Sequence, residues 1–259
     1  MTIKFHKYQG TGNDFIMIDD RDRQFPVSQE FIENLCHRRF GIGADGLILL
    51  QNEKDYDFRM VYFNADGTEG SMCGNGGRCT VRFAHDLGII KESANFMAVD
   101  GPHLASVCDE DIYLKMMDVP TIEQYTDYDF TNTGSPHYVT YVYDLDNTDV
   151  YEIGNKIRYS KEWAEKGGTN VNFVQLNDGQ TIAVRTYERG VEDETYSCGT
   201  GVTACALSAN LKHGMESPIN IKTLGGGLQV SFQKGPNNSF TDVYLIGPAV
   251  KVFVGEISV

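Results

Sequence analysis

Two short stretches constrain this chain more than anything else in it. Cys73-Gly-Asn-Gly76 and Cys198-Gly-Thr-Gly201 each open a helix-like run with a second cysteine six or seven residues on. Each run closes on a glycine, Gly88 and Gly214, and each follows a strand and an acidic, glycine-containing turn. The preceding segments are FRMVYFNADGTEGSM and AVRTYERGVEDETYS. The two cysteines stand 125 positions apart, almost half of the 259 residues. One supersecondary unit used twice explains that order. The halves are expected at 1–117 plus 247–259 and at 118–246, with a strand ending at Pro120 and the last strand returning to the first half.

Between these landmarks the pattern is mostly strand. Segments rich in Val, Ile, Tyr and Phe and bounded by Gly, Asn, Asp or Pro predict strands at 3–8, 15–19, 47–51, 58–63, 112–117 and 138–144. Further ones follow at 171–176, 181–188, 219–223, 229–233, 242–246 and 251–254. Three helices are predicted: 29–39 behind an N-cap Ser28, with a basic His-Arg-Arg end, and the two runs after Cys73 and Cys198. The last of these is small and apolar nearly all round, which implies burial. The fold class is therefore α+β.

A helix N-terminus leaves backbone N–H groups unpaired and carries partial positive charge. A cysteine there has its thiolate stabilised, and adjacent glycines let a ligand carboxylate approach the backbone. Two such turns facing one another would offer one thiol to each side of a bound carbon acid. That is what inversion of an sp³ centre bearing hydrogen requires: a base on one face and an acid on the other. The reading is an amino-acid racemase or epimerase needing neither pyridoxal phosphate nor metal. The other cysteines, Cys36, Cys79, Cys108 and Cys205, are expected to pack as small apolar residues.

The ordered motifs of the chain resemble those of diaminopimelate epimerases. Asn64–Arg78 is similar to that family's first signature and Tyr187–Gly201 to its second. Phe5–Phe15, Phe40–Gly46, Thr133–His137, Thr169–Val174 and Gly247–Phe253 fill in the remainder. The resemblance implies two pseudo-symmetric domains, each a barrel-like, mostly antiparallel sheet around a central helix. It implies epimerisation of LL-2,6-diaminopimelate to the meso isomer by a cytoplasmic homodimer without cofactor. It gives Cys73 and Cys198 the acid/base role, with His137 and Glu188 helping to move or share their protons. The amides at Gly74, Asn75, Gly199 and Thr200 would hold the reacting carboxylate. Asn13, Asn64, Asn170, Glu188 and Arg189 would contact the rest of the substrate. Taken alone, His137 after a Gly-Ser-Pro turn reads as a surface residue and Glu188-Arg189 as a solvated pair.

Three departures from the family pattern bear on substrate contacts. Ser135 stands where Asn is frequent, Gly46 stands where Gln is frequent, and the segment from Glu188 to Cys198 is one residue longer. The extra length is expected to gather Glu192, Asp193 and Glu194 near the second thiol. A proline-type racemase on the same fold would show His at the place of Asn75, and a non-catalytic binding member would lack a cysteine. A formal charge of −14 argues against a nucleic-acid groove or a polybasic membrane patch. The opening MTIKFHKYQGTGNDF has no apolar signal core, and no apolar run reaches membrane-spanning length, so a cytoplasmic protein with reduced thiols is expected.

Overall fold

A computed structural model describes residues 2–258. The chain forms two compact units, one of residues up to Leu114 together with those from Gly247 on, the other Lys115–Ile246. The first division thus falls inside a strand, ahead of Met117.

The first unit begins with β1 (Thr2–Gly10), β2 (Asn13–Asp19), α1 (Gln29–Cys36), β3 (Gly46–Gln51) and β4 (Phe58–Asn64). It continues with α2 (Gly74–Asp86), β5 (Ser93–Ala98), β6 (Gly101–Cys108) and β7 (Asp111–Lys115). The second comprises β8 (Glu123–Gln124), β9 (Asp129–Asn132), β10 (Pro136–Tyr141), α3 (Val150–Arg158), α4 (Lys161–Ala164) and β11 (Asn170–Leu176). It ends with β12 (Thr181–Glu188), β13 (Asp193–Thr195), α5 (Gly199–His213), β14 (Ile219–Thr223), β15 (Gly226–Lys234) and β16 (Phe240–Pro248). The chain then rejoins the first unit as β17 (Val250–Ser258), antiparallel to β1.

Each unit repeats one wiring scheme. In the first, the order β17-β1-β2-β3-β4-β5-β6-β7 is antiparallel except at β2–β3 and β4–β5. In the second, the order β8-β9-β10-β11-β12-β14-β15-β16 is antiparallel except at β10–β11 and β12–β14. Parallel neighbours need a crossover, and the helices supply it: α1 and α2 in the first unit, α3 with α4 and α5 in the second. Hairpin β13 on β12 has its counterpart in a single bridge between Phe63 and Glu69.

The inner helices are the core of each unit. α2 touches β1, β2, β3, β4, β6 and β17, and α5 touches β9, β10, β11, β12, β14 and β15. α5 is buried from Val202 to Ala209, as its uniform composition predicts. The central strands β3 and β11 are buried along nearly all their length. β3, GLILLQ, reads as a near-continuous apolar run because both of its faces are covered, whereas β11, NVNFVQL, buries Asn170 and Asn172 among its apolar residues.

Several predicted elements differ. α1 stops at Cys36, not Arg39: His37 leaves helical geometry (ψ 119°), and its ring Nδ1 accepts the N–H groups of Arg39 and Phe40 at 3.1 Å each. The basic His-Arg-Arg therefore follows the helix rather than ending it. Strands β5, β6, β8, β9 and β13 and helices α3 and α4 carry no strong apolar run and lie outside the predicted set. Cys108 is exposed at the end of β6 instead of packed in a core.

Candidate active site

The first cluster is built on the start of α2. Cys73 is its N-cap, with extended backbone, and its Sγ accepts the Gly76 N–H at 3.2 Å. A hydrogen bond donated to sulfur, together with the helix dipole, favours the thiolate. Gly74 and Asn75 are buried at the helix start. A side chain at Gly76 would put its Cβ 3.2 Å from the Cys73 sulfur, so glycine keeps the thiol's surroundings clear.

Beneath this turn lies Arg78, fully buried, which the motif alone did not single out. Its guanidinium donates to Thr11 Oγ1 and Asn75 Oδ1 at 3.1 Å, to the Gly74 carbonyl at 3.3 Å and to the Pro248 carbonyl at 3.5 Å. Burial pulls its pKa down, against the charges of Cys79, Cys73 and Asp111. Bonding the Gly74 carbonyl polarises the Gly74–Asn75 peptide, which makes the Asn75 N–H a stronger donor to an anion. The signal for Arg78 was its place one turn into a buried helix, where a charge is rare.

Asn13 opens β2, and its amide donates to Asp45 at 2.6 Å. Asp45 and Asp14 are in turn clamped by Arg38 at 2.6 Å each, and Asp14 also pairs with Lys7 at 2.7 Å. Holding the Asn13 NH₂ on a carboxylate fixes which way its amide faces. Asn64 ends β4, and its amide donates to Thr68 at 3.2 Å across a tight turn. Gly46 accepts no side chain, because a Cβ would lie 2.4 Å from the Tyr62 ring and 2.5 Å from the Phe63 carbonyl.

The second cluster is built on the start of α5. Cys198 is buried at the N-cap, and its Sγ lies 3.5 Å from the Thr200 hydroxyl. His137 on β10 is fully buried, contrary to the surface position its turn suggested. Its Nε2 is 2.9 Å from both Thr200 Oγ1 and Ser135 Oγ, and its Nδ1 is 3.1 Å from the Asn172 amide nitrogen. Burial, and then the nearby Arg189 charge, push its pKa down to about 3. Ser135 is thus a junction of this cluster, also receiving Asn170 Nδ2 at 3.1 Å.

Asn170 is buried, and its amide is largely used within the protein. Its second N–H goes to the Pro136 carbonyl at 2.8 Å, and its oxygen accepts the Arg189 backbone N–H at 2.9 Å. Glu188 accepts the Thr195 hydroxyl at 2.8 Å. The Arg189 side chain is exposed, donating to the Gly167 carbonyl at 3.3 Å. The acidic segment is tied down elsewhere: Glu192 pairs with Arg158 at 3.2 Å and Glu194 with Arg185 at 2.6 Å. No motif marks Asn172, although its spacing of two from Asn170 puts both amides on one face of a strand.

The remaining buried thiols contrast with these two. Burial pushes Cys36 and Cys79 up to about 12, and pushes Cys205 up as well, with the Cys198 charge adding to it. They are protonated packing residues.

The chain thus builds twice, on one scheme, a sheet wrapped round a helix capped by cysteine, an α+β fold. Solved structures share the fold: a PhzF-family phenazine biosynthesis protein of Bacillus anthracis superposes with a TM-score of 0.78 at 14% identity, covering 100% of both chains. A hydroxyproline epimerase of Agrobacterium vitis gives 0.71 at 13% identity, over 99% of this chain and 92% of that one. The family model for diaminopimelate epimerase matches residues 5–122 and 130–252. The diaminopimelate epimerase of Flavobacterium psychrophilum is 51% identical over 254 residues, 97% of this chain and 98% of that protein. That of Aquifex aeolicus is 41% identical over 99% of this chain and 98% of that protein. The chain belongs to the diaminopimelate epimerase family.

Proposed function

We propose that this chain epimerises LL-2,6-diaminopimelate to meso-diaminopimelate, a step toward lysine and cell-wall precursors, with Cys73 and Cys198 as its acid/base pair. The observation that carries the reading is the duplicated device: each thiol caps a buried, glycine-started helix in a chain of this family. One thiolate takes the α-hydrogen from one face of the substrate, and the other thiol returns a proton to the opposite face. The reverse reaction exchanges their roles. Negative charge developing on the reacting end falls to the backbone N–H groups at Gly74-Asn75 and Gly199-Thr200, which cost no reorganisation as the carbanion forms. After one turnover the first thiol carries the proton that the second has given up, so a proton passes back through solvent or the polar groups beside the thiols before the next; no cofactor enters the exchange.

The distal amino-acid end needs a cation and paired amides. The exposed fork of Arg189 suits a carboxylate. Asn13 and Asn64 have their NH₂ groups held by neighbours, which turns the amide oxygens toward an ammonium. Asn170 contributes through its oxygen in the same way, and the Glu188 carboxylate adds negative charge for that ammonium. The repeated strand order and the repeated pairs of parallel strands support two halves, 1–117 with 247–259 and 118–246, derived from one duplicated unit. We further infer a homodimer working in the cytoplasm, where thiols stay reduced. No described helix is long and apolar enough to cross a membrane.

The test is α-proton exchange. LL-diaminopimelate incubated with the protein in D₂O should lose its α-proton resonance as the meso isomer grows. Cys73→Ala and Cys198→Ala should each abolish epimerisation. No exchange with any diaminopimelate isomer, but exchange with proline, would move the assignment to a proline-type racemase.

A further inference from the structure

The hydrogen bonds around His137 run in one direction, because their ends are groups that can only donate or only accept. The Tyr138 carbonyl can only accept, and it takes an Asn172 Nδ2 hydrogen at 2.9 Å. The Thr186 hydroxyl reaches Asn172 Oδ1 at 3.0 Å. The amide orientation of Asn172 is therefore fixed by the network, and its second N–H points at His137 Nδ1. That nitrogen must carry a lone pair, so the proton of the neutral ring sits on Nε2.

On the other side of the ring, Asn170 is oriented by the same logic. It is held by the donor-only Arg189 N–H and the acceptor-only Pro136 carbonyl, and its remaining N–H goes to Ser135 Oγ. His137 Nε2–H meets the two hydroxyls of Ser135 and Thr200, themselves 3.2 Å apart. One arrangement gives every hydroxyl hydrogen a partner within the protein. His137 donates into the hydroxyl pair, Ser135 donates to Thr200, and Thr200 donates to Cys198 Sγ at 3.5 Å.

We propose that Asn172 is a positioning residue: it locks His137 as the neutral Nε2–H tautomer and so turns the Thr200 hydroxyl hydrogen onto the Cys198 sulfur. An O–H donated to sulfur favours the thiolate. The low pKa of His137 accords with this, and Arg189 is the charge that acts on the ring. Gly201 completes the device, since a Cβ there would lie 2.5 Å from Asn172 Oδ1. The inference rests on the acid/base reading of Cys198, but the tautomer itself does not depend on the substrate.

Two-bond ¹H–¹⁵N correlation of histidine-labelled wild-type protein tests it. His137 should show a protonated Nε2 and an unprotonated Nδ1 without change from pH 5 to pH 9. A protonated Nδ1, or an imidazolium forming above pH 5, overturns the proposal whether or not the protein acts on diaminopimelate. Asn172→Asp, which places an acceptor at Nδ1, should move the ring proton to Nδ1. In Thr200→Val, alkylation of Cys198 by iodoacetamide, read by peptide mass spectrometry, should slow at least threefold at pH 7. An unchanged alkylation–pH curve in that variant also overturns it.

Discussion

Six residues of one type behave in three ways in this chain, and environment alone separates them. Cys36, Cys79 and Cys205 are buried among apolar groups and held protonated, Cys108 lies at an exposed strand end, and Cys73 and Cys198 cap helices. The glycines beside the caps are chosen against helix propensity. Ala is favoured over Gly in a helix by about 1 kcal/mol, so Gly201→Ala would stabilise α5 if propensity decided. Steric room decides instead, because the new Cβ must displace Asn172 from 2.5 Å. Gly201→Ala should therefore lower kcat at least tenfold with no gain in melting temperature. Steady-state kinetics and thermal unfolding check this, and full activity at a raised melting temperature would refute it. The sequence exposed the two thiols through their shared Cys-Gly-x-Gly turns. It hid Arg78 and Asn172, whose roles arise from what the fold brings to them across long stretches of chain.

Among the elements, those with strong apolar periodicity were legible: β1 to β4, β11, β12 and both inner helices follow their patterns closely. Strands such as β6 and β9 were not, because polar residues on a half-exposed sheet read as loop. The end of α1 shows the same limit. Its basic tail reads as helix, but Arg38 is drawn out of it by the carboxylates of Asp14 and Asp45. Asp14 of β2 joins Lys7 of β1, Arg38 after α1 and, through Arg38, Asp45 before β3. Burial raises the Asp14 pKa, but the Arg38 and Lys7 bonds outweigh it and bring it down to about 2. An unfolded Asp titrates near ~3.9. A depressed folded pKa contributes stability above the unfolded value that is lost as pH falls through the folded one. The contribution is at most about 2.5 kcal/mol at neutral pH, since one pKa unit is about 1.36 kcal/mol. Asp14→Asn should then be less stable than wild type by up to that amount at pH 7, with the gap closing between about pH 5 and pH 2. Urea unfolding of both proteins across that range measures it, and a gap independent of pH would show that the network is held by packing alone.

At the scale of the whole molecule, the duplication was legible because two motifs recur in order, and so was the return of the last strand to the first half, but not the strand it would join. A terminal segment of alternating Val, Phe and Lys fits many sheets, and only its partner defines it. β17 pairs with β1 over nearly the full length of both strands. Val250, Val252, Phe253 and Val254 are nevertheless 44%, 55%, 47% and 46% exposed. A long apolar strand left open in this way invites pairing with another chain. In a protein of net charge −14, random association is opposed by repulsion, so the contact must be specific to succeed. A second copy would meet that condition, because a two-fold axis would set the same strand against itself, antiparallel, and close the assembly at two subunits. Sedimentation equilibrium should accordingly give twice the 28.9 kDa chain mass. Val252→Lys with Val254→Lys, which puts like charges across the axis, should shift the protein to monomer at micromolar concentration while leaving its circular dichroism unchanged. A double variant that remains dimeric would place the contact elsewhere on the surface, and a monomeric wild type would remove the homodimer from the functional reading.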